Sequence, residues 1–184
     1  LMAFFAEYIW VDEKNNFRSK TNIVTVEKDK KFIPTSYPLW NYDGSSTGQA
    51  TQASSEVLLK PVRIFHDVFR NFGTDVIVYC QNYKMSDGEL EPLGTRHDAA
   101  LLFEKYKNLE PMYGLEQEFF MIDANTNLPY GFKKQDYETW RPDGEYDNSY
   151  YCGVGAKNVN SKTRVFMNQV LLMAAKMNLN ITGM

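Results

Sequence analysis

The sequence predicts an α+β protein in which a strand-rich first part is followed by a helix, a strand and a second helix. Runs of β-branched and aromatic residues, bounded by polar turns, recur over the first ninety residues. Beyond them, apolar residues recur at helical spacing in the segments 99–109 and 162–178. This order is not a repeated strand–helix–strand pattern, so we expect the sheet and the helices to be segregated.

The composition favours a packed chain and excludes some partners. The 184 residues are 43% hydrophobic and 15% aromatic, which gives room for one ordinary domain or two small ones and argues against long disorder. The formal net charge is -3, and no run of lysine or arginine stands out. We therefore expect no nucleic-acid partner.

The cysteines and the apolar runs indicate the compartment. Cys80 and Cys152 are far apart and lie among apolar or aromatic residues, so they form no disulfide framework and are predicted to stay reduced. The beginning of the chain has no basic segment before its apolar run, and no stretch approaches the ~18 apolar residues of a membrane span. We expect a cytoplasmic protein without a signal peptide and without a membrane partner.

The first elements are predicted as a hairpin followed by a long loop. Strands over 6–11 and 17–26 flank a polar turn, and the charged residues 28–31 form a solvated turn. Residues 41–56 are rich in Gly, Ser and Thr and read as a loop. Loops of this length in a compact domain are usually functional or disordered.

Two further strands precede a predicted domain boundary. A short strand covers 56–59, and the run 76–80 is a buried strand. The segment 85–95, which contains two glycines and a proline, is the candidate boundary, so we expect one domain over 1–90 and a second over 91–184. Asp98 is placed to cap the helix over 99–109.

The last elements are a strand over 114–123, a loop-like stretch over 125–148 and the helix over 162–178. Glu116 and Glu118 are two residues apart on that strand, so both carboxylates are expected on one face. Two adjacent negative charges repel, and a hard cation such as Mg²⁺ or Mn²⁺ with oxygen ligands would neutralise them. The alternative is a solvent-exposed strand face.

Asp43 is the other candidate site residue. It stands in the sequence Asn-Tyr-Asp-Gly-Ser-Ser, where an acid usually bonds local backbone and forms a turn. The functional alternative is a loop acid that is presented to a cation or to ammonium. His66 and His97 are isolated and are predicted to be surface or hydrogen-bonded residues. The segment 150–156 lacks the glycine spacing of a phosphate loop.

Three ordered blocks make the chain resemble glutamine synthetase of the eukaryotic type. They are WNYDGSSTGQA at 40–50, GLEQEFF at 114–120 and YYCGVGA at 150–156. The resemblance implies a β-grasp N-terminal domain followed by the beginning of the catalytic domain. It also implies ATP-dependent ligation of ammonia to L-glutamate through γ-glutamyl phosphate.

The resemblance also implies roles for the candidate residues. Glu116 and Glu118 correspond to metal ligands for Mg²⁺ or Mn²⁺, and Glu116 also lies at the nucleotide phosphates. Asp43 corresponds to the acid that captures ammonium and helps to deprotonate it, in the active site of a neighbouring subunit. The expected assembly is a homo-oligomer of stacked rings.

The chain departs from the family pattern in ways that leave two functions open. Met112 replaces a usual tryptophan, Val68 replaces a usual proline, and the chain ends before the remaining metal ligands and the arginines that bind phosphate and glutamate. We therefore expect the isolated chain to be inactive. The alternative is a non-catalytic truncated paralogue that assembles with full-length subunits or regulates them.

Overall fold

The computed structural model of the chain describes residues 2–70, 74–129 and 160–181. The chain forms two compact units. The first comprises Leu1–Met112 with Lys176–Asn178, and the second comprises Tyr113–Ala175 with Leu179–Met184. The predicted division of the chain at residue 90 stays a prediction. The described residues contain both sheet and helix, so the mixed α/β composition that the sequence predicts is confirmed.

A six-stranded sheet forms the body of the first unit. Its strands are β1 (Met2–Val11), β2 (Phe17–Val26), β3 (Trp40–Asp43), β4 (Glu56–His66), β5 (Val76–Ser86) and β6 (Glu89–Pro92). They lie in the order β2-β1-β5-β4-β3, with β6 also paired to β5. The β1–β5 pair is parallel, and the other pairs are antiparallel.

The predicted β1–β2 hairpin is confirmed. The pairing runs without interruption from Met2 opposite Val26 to Val11 opposite Phe17. β2 has the predicted bounds, whereas β1 begins four residues earlier than predicted, because its first residues continue to pair with the end of β2. The charged segment after β2 forms a short exposed 3₁₀ helix, Lys28–Lys30, as expected for a solvated turn.

The core lies on one face of the sheet. Alternate residues of β1 and β5 point to this face, as the period of two in a strand requires. Its buried members are Ala6, Tyr8, Trp10, Val24, Val26, Tyr37, Leu59, Ile64, Val76, Val78 and Cys80.

The sheet curls strongly around this core. Tyr8 of β1 packs edge-on against Trp40 of β3 with ring centroids 5.2 Å apart. Trp10 stacks on Tyr42 at 4.5 Å. Two other strands separate β1 from β3 in the sheet order, so these contacts require the β3 edge to bend back over β1.

Three strand predictions need correction. β3 occupies the start of the predicted loop 41–56, because Trp40–Asp43 pairs with the first residues of β4. β4 continues from the predicted 56–59 to His66 through a bulge between Pro61 and Arg63, which accommodates the proline in the strand. β5 is also longer than predicted, and the segment proposed as a boundary forms its hairpin with β6.

The first helix, α1 (Arg96–Tyr106), is capped differently from the prediction. Thr95 is its N-cap residue, and Asp98 lies inside the first turn. The predicted Asp98 cap is therefore wrong, because the helix begins three residues earlier than predicted. In the first turn, Asp98 lies near the positive end of the helix dipole. The predicted apolar face of α1, which includes Leu102 and Phe103, is largely exposed within the described residues.

The second unit contains a small hairpin and a helix. β7 (Ile122–Asp123) pairs with β8 (Leu128–Pro129). The helix α2 (Asn160–Lys176) begins and ends two residues before its predicted bounds and belongs to this unit up to Ala175. None of the helices in the described part of the chain has the length and apolar character needed to cross a membrane.

The turn between β1 and β2 is organised by the buried carboxylate of Asp12. Its Oδ1 accepts hydrogen bonds from the backbone N–H groups of Lys14 and Asn16, both at 2.9 Å. Its Oδ2 accepts a hydrogen bond from Arg18 Nε at 2.8 Å. The Asn16 backbone N–H, together with the Arg18 guanidinium, lowers the pKa of Asp12 from 3.8 to about 2.

We expect Asp12→Asn to destabilise the protein at pH 6 but to matter much less at pH 2.5. The pKa of Asp12 is lower in the folded state than in the unfolded state, so its stabilisation is present above pH 3.8 and is lost as the pH falls toward 2. Urea midpoints at both pH values measure this difference. Asp29→Asn, at an exposed acid, is the control. Equal effects of Asp12→Asn at both pH values would contradict this assignment.

Candidate functional site

Asp43 ends β3 and caps the 3₁₀ helix Gly44–Thr47. Its Oδ1 accepts hydrogen bonds from the Ser45 hydroxyl at 2.6 Å and from the Ser45 backbone N–H at 2.9 Å. These bonds, the hydroxyl first, lower the pKa of the Asp43 carboxyl from its ordinary value. The prediction that Asp43 forms a turn is therefore confirmed.

The turn leaves part of the Asp43 carboxylate available. The side chain is exposed. Both of its hydrogen bonds within the described residues reach Oδ1, so Oδ2 can accept a hydrogen bond from a ligand. A carboxylate that is ionised, exposed and fixed by local bonds can bind a small cation such as ammonium.

The loop after Asp43, residues 44–50, is folded tightly. The buried Gly44 donates its N–H to the Ser55 carbonyl at 2.7 Å. Its own carbonyl accepts N–H groups from Gln49 at 2.9 Å and from Ala50 at 3.2 Å. Gly48 ends the 3₁₀ helix with φ of 76°, a left-handed conformation that favours glycine. We refer to residues 43–50 as the Asp43 loop.

Gln49 connects the Asp43 loop to the sheet. Its Oε1 accepts hydrogen bonds from the Tyr42 hydroxyl at 2.5 Å and from the Thr47 hydroxyl at 3.0 Å. Its Nε2 donates to the Val11 carbonyl at 3.1 Å. Burial raises the pKa of Tyr42 to about 12, so its phenol stays a hydrogen-bond donor. Sequence reasoning missed Gln49, because a polar residue in a polar loop gives no periodic signal.

Lys20 of β2 holds β3 from the opposite edge of the sheet. Its Nζ lies 3.6 Å from the centre of the Trp40 ring and donates a hydrogen bond to the Asn41 carbonyl at 2.6 Å. Asn41 in turn donates a hydrogen bond from its side chain to Glu56 of β4. The strand that presents Asp43 is therefore fixed by contacts with β2 and β4 as well as by the aromatic contacts with β1.

Glu116 and Glu118 lie in the second unit, whereas Asp43 lies in the first. Both glutamates are exposed, and residues 111–121 have no regular secondary structure. The predicted strand over 114–123 is therefore wrong except for Ile122 and Asp123. The predicted common face of the two carboxylates had relied on that strand. Among the described residues, no group of three or more His, Cys, Asp or Glu side chains is arranged to hold a metal ion.

The structure describes both histidines and one of the two cysteines that the sequence analysis considered. Phe32 packs against the ring of His66, and Tyr83 packs against that of His97. Cys80 is a free, buried thiol, as predicted, and its burial raises its pKa to about 12. Cys152 and the whole segment 150–156 lie outside the described residues.

Comparison with known proteins identifies the relatives of the chain. No family model matches it. It is 41% identical over 154 residues to a glutamine synthetase of Neurospora crassa, which covers 84% of this chain and 40% of the relative. It is 39% identical over 160 residues to the glutamine synthetase of Saccharomyces cerevisiae, covering 87% of this chain and 40% of the relative. A chloroplastic glutamine synthetase of Brassica napus is 43% identical over 158 residues, covering 83% of this chain and 34% of the relative.

These relatives are glutamine synthetases, and the similarity to them covers more than four fifths of this chain. The resemblance to glutamine synthetase that the sequence blocks predict is confirmed, and the chain is related to part of a glutamine synthetase. It spans about 40% of the length of most of the relatives described above.

Proposed function

We propose that the chain is the N-terminal part of a eukaryotic-type glutamine synthetase, which ligates ammonia to L-glutamate at the expense of ATP. The observation that carries this proposal is about 40% identity to glutamine synthetases over most of the chain. In this proposal, residues 1–90 form a β-grasp domain and residues 91–184 begin the catalytic domain. The curled sheet of the first unit supports the first assignment.

The proposed reaction has two steps. ATP phosphorylates the γ-carboxylate of glutamate, and ammonia then attacks the acyl phosphate carbon and displaces inorganic phosphate. The attacking nitrogen needs its lone pair, so ammonium must lose a proton before this step. In both steps the protein chiefly positions the groups and neutralises charge.

Asp43 is proposed to bind the ammonium ion and to help to remove its proton. Its exposed carboxylate provides the negative charge, and the Ser45 bonds fix its direction. These same bonds lower the pKa of Asp43, which keeps it ionised but makes it a weaker base. Binding of the cation is therefore the larger part of the proposed role, and the proton passes to the carboxylate only as the nitrogen attacks.

Glu116 and Glu118 are proposed as ligands of Mg²⁺ or Mn²⁺, with Glu116 also at the ATP phosphates. Their carboxylates are oxygen donors of the kind that these ions prefer, and both side chains are exposed. The metal would neutralise charge on the transferred phosphoryl group. Two carboxylates supply too few ligands for such an ion, which takes about six. The other ligands would therefore come from the remainder of a glutamine synthetase.

The proposed assembly explains why this chain would not act alone. We propose a cytoplasmic homo-oligomer of stacked rings, in which Asp43 of one subunit serves the active site of its neighbour. Support comes from the exposure of Asp43 and its position at the end of β3. The non-catalytic alternative, a truncated paralogue that joins or regulates full-length subunits, predicts the same assembly without product.

The proposal is tested by supplying the missing part. The chain is mixed with the remainder of the Neurospora crassa glutamine synthetase, and ¹⁵N-labelled glutamine is measured with ATP, glutamate, ¹⁵N-ammonium and Mg²⁺. We expect labelled glutamine from the mixture and none from either part alone. Light scattering on the same sample reports assembly. A mixture that assembles into rings but forms no glutamine would contradict the proposed activity and favour the non-catalytic alternative.

A further inference from the structure

The Gln49 side chain forms hydrogen bonds with residues of β1, of β3 and of the Asp43 loop. One end of its amide accepts from Tyr42 and Thr47, and the other end donates to the Val11 carbonyl at the end of β1. This carbonyl also accepts a hydrogen bond from Asn82 Nδ2 of β5 at 2.8 Å. The amide of Gln49 therefore links the loop directly to β1 and, through the shared Val11 carbonyl, to β5.

We infer that Gln49 is a positioning residue, which holds the Asp43 loop against the end of β1 and so fixes where the Asp43 carboxylate is presented. This inference rests on the proposed role of Asp43 for its functional consequence. Its structural part, that Gln49 holds the loop, stands on the contacts alone.

The backbone of Gln49 explains how its side chain can act on Asp43. The Gln49 N–H donates to the Gly44 carbonyl at 2.9 Å, and this carbonyl, 3.1 Å from the Thr47 hydroxyl, shares the single hydrogen of that hydroxyl with Gln49 Oε1. Gly44 follows Asp43 directly and begins the 3₁₀ helix that Asp43 caps. A displacement of Gln49 would therefore move the first residue of this helix and the cap with it.

The position requires an amide and not merely a polar group. Two hydroxyls donate to Oε1, and the Val11 carbonyl needs a donor from the other end. Glutamate has the same shape and can accept both hydroxyls, but its ionised carboxylate cannot donate to a carbonyl. Gln49→Glu thus removes one bond and places two acceptors against each other, which is costly when the groups are partly buried.

The exposed side chain of Glu13 lies close to Gly48. A Cβ at Gly48 would overlap the carboxylate of Glu13, so the β1–β2 turn lies directly against the loop. Because the backbone N–H of Gly44 also holds the loop, through the Ser55 carbonyl at 2.7 Å, loss of the Gln49 bonds is expected to loosen the loop without unfolding the first unit.

The test compares Gln49→Glu with Gln52→Glu in the 184-residue chain. Gln52 is an exposed glutamine just beyond the Asp43 loop. Its substitution therefore makes the same charge change outside the hydrogen bonds of Gln49. Hydrogen exchange of the Gln49 and Ala50 amides is measured by NMR. We expect exchange about tenfold faster in Gln49→Glu and unchanged in Gln52→Glu, as the loss of one partly buried hydrogen bond predicts.

Tyr42→Phe is a second variant, and KM for ammonium is a second measurement. Tyr42→Phe removes only the phenol donor to Gln49, so it should accelerate the same amides by a smaller factor even if Gln49→Glu does not fold. In the mixture that forms glutamine, Gln49→Glu should raise KM for ammonium about fivefold and leave KM for ATP unchanged.

The outcomes separate the inference from the proposed function. Unchanged exchange in both Gln49→Glu and Tyr42→Phe would overturn the inference. Faster exchange with equal rises in KM for ammonium and ATP would also overturn it, because the residue would then be merely structural. If the unsubstituted mixture forms no glutamine, the proposed function fails, whereas the exchange comparison still decides whether Gln49 holds the loop.

Discussion

Replacement of Asp43 by asparagine is expected to lower kcat/KM for ammonium by about 100-fold in the glutamine-forming mixture, as is typical for loss of a charged group that acts in the chemical step. Asparagine can keep the two bonds from Ser45, because its side-chain oxygen accepts as Oδ1 of Asp43 does. The loop should therefore keep its shape while the negative charge is lost. Initial rates at varied ammonium concentration measure the effect.

Two controls separate charge from loop structure. Asp43→Ala removes both the charge and the cap, so it should resemble Asp43→Asn in rate but also accelerate hydrogen exchange at Ser45, which donates to Asp43. Asp29→Asn, at an exposed acid of the 3₁₀ helix after β2, should leave the rate unchanged. Full activity of Asp43→Asn would show that the carboxylate is not the ammonium ligand.

The hairpin β1–β2 could be predicted because its information is local. Alternating apolar residues on both sides of a polar turn specify strands, turn and register together. β3 could not be predicted in this way. Its residues read as part of a loop, and they form a strand because they pair with Glu56–Leu59 farther along the chain. Aromatic contacts from β1 to Trp40 and Tyr42 add to this stabilisation.

The segment with Glu116 and Glu118 illustrates the opposite error. Its composition favours a strand, yet within the described residues no neighbouring strand pairs with it before Ile122. A strand needs a partner for its backbone groups, and no local pattern reveals whether that partner is present. The two carboxylates could be named as candidate ligands from the sequence, but their arrangement could not be derived from it.

For Asp43 the sequence suggested two alternatives, and the structure makes them compatible. The turn uses Oδ1 of the carboxylate and lowers its pKa, while the side chain stays exposed. A local structural role therefore does not exclude a role in ligand binding. The bonds that support the Asp43 loop could not be predicted from the sequence, because their partners are far apart in the chain. Gln49 and Val11 are 38 positions apart, and Lys20 and Asn41 are 21 positions apart.

Gly44→Ala is expected to lower the free energy of unfolding of the first unit by about 1–3 kcal/mol, the usual cost of overpacking. Gly44 is buried, and a Cβ there would overlap Cγ2 of Val57 and lie 3.0 Å from the Cβ of Ala50. Val57 is fully buried in β4, so neither Gly44 nor Val57 can move away easily. Urea unfolding of the 184-residue chain, followed by tryptophan fluorescence, measures the loss.

The overlap with Val57 can be tested directly by a double-mutant cycle. Val57→Ala removes the methyl group that the new Cβ would meet. In that background Gly44→Ala should cost less, with a coupling of at least about 0.5 kcal/mol, as expected for residues in contact. Gly114→Ala is the matched control, because nothing lies within 4 Å of a Cβ at Gly114, and it should change stability by less than about 0.5 kcal/mol. Equal costs of Gly44→Ala in both backgrounds would show that contact with Val57 is not what requires glycine beside Asp43.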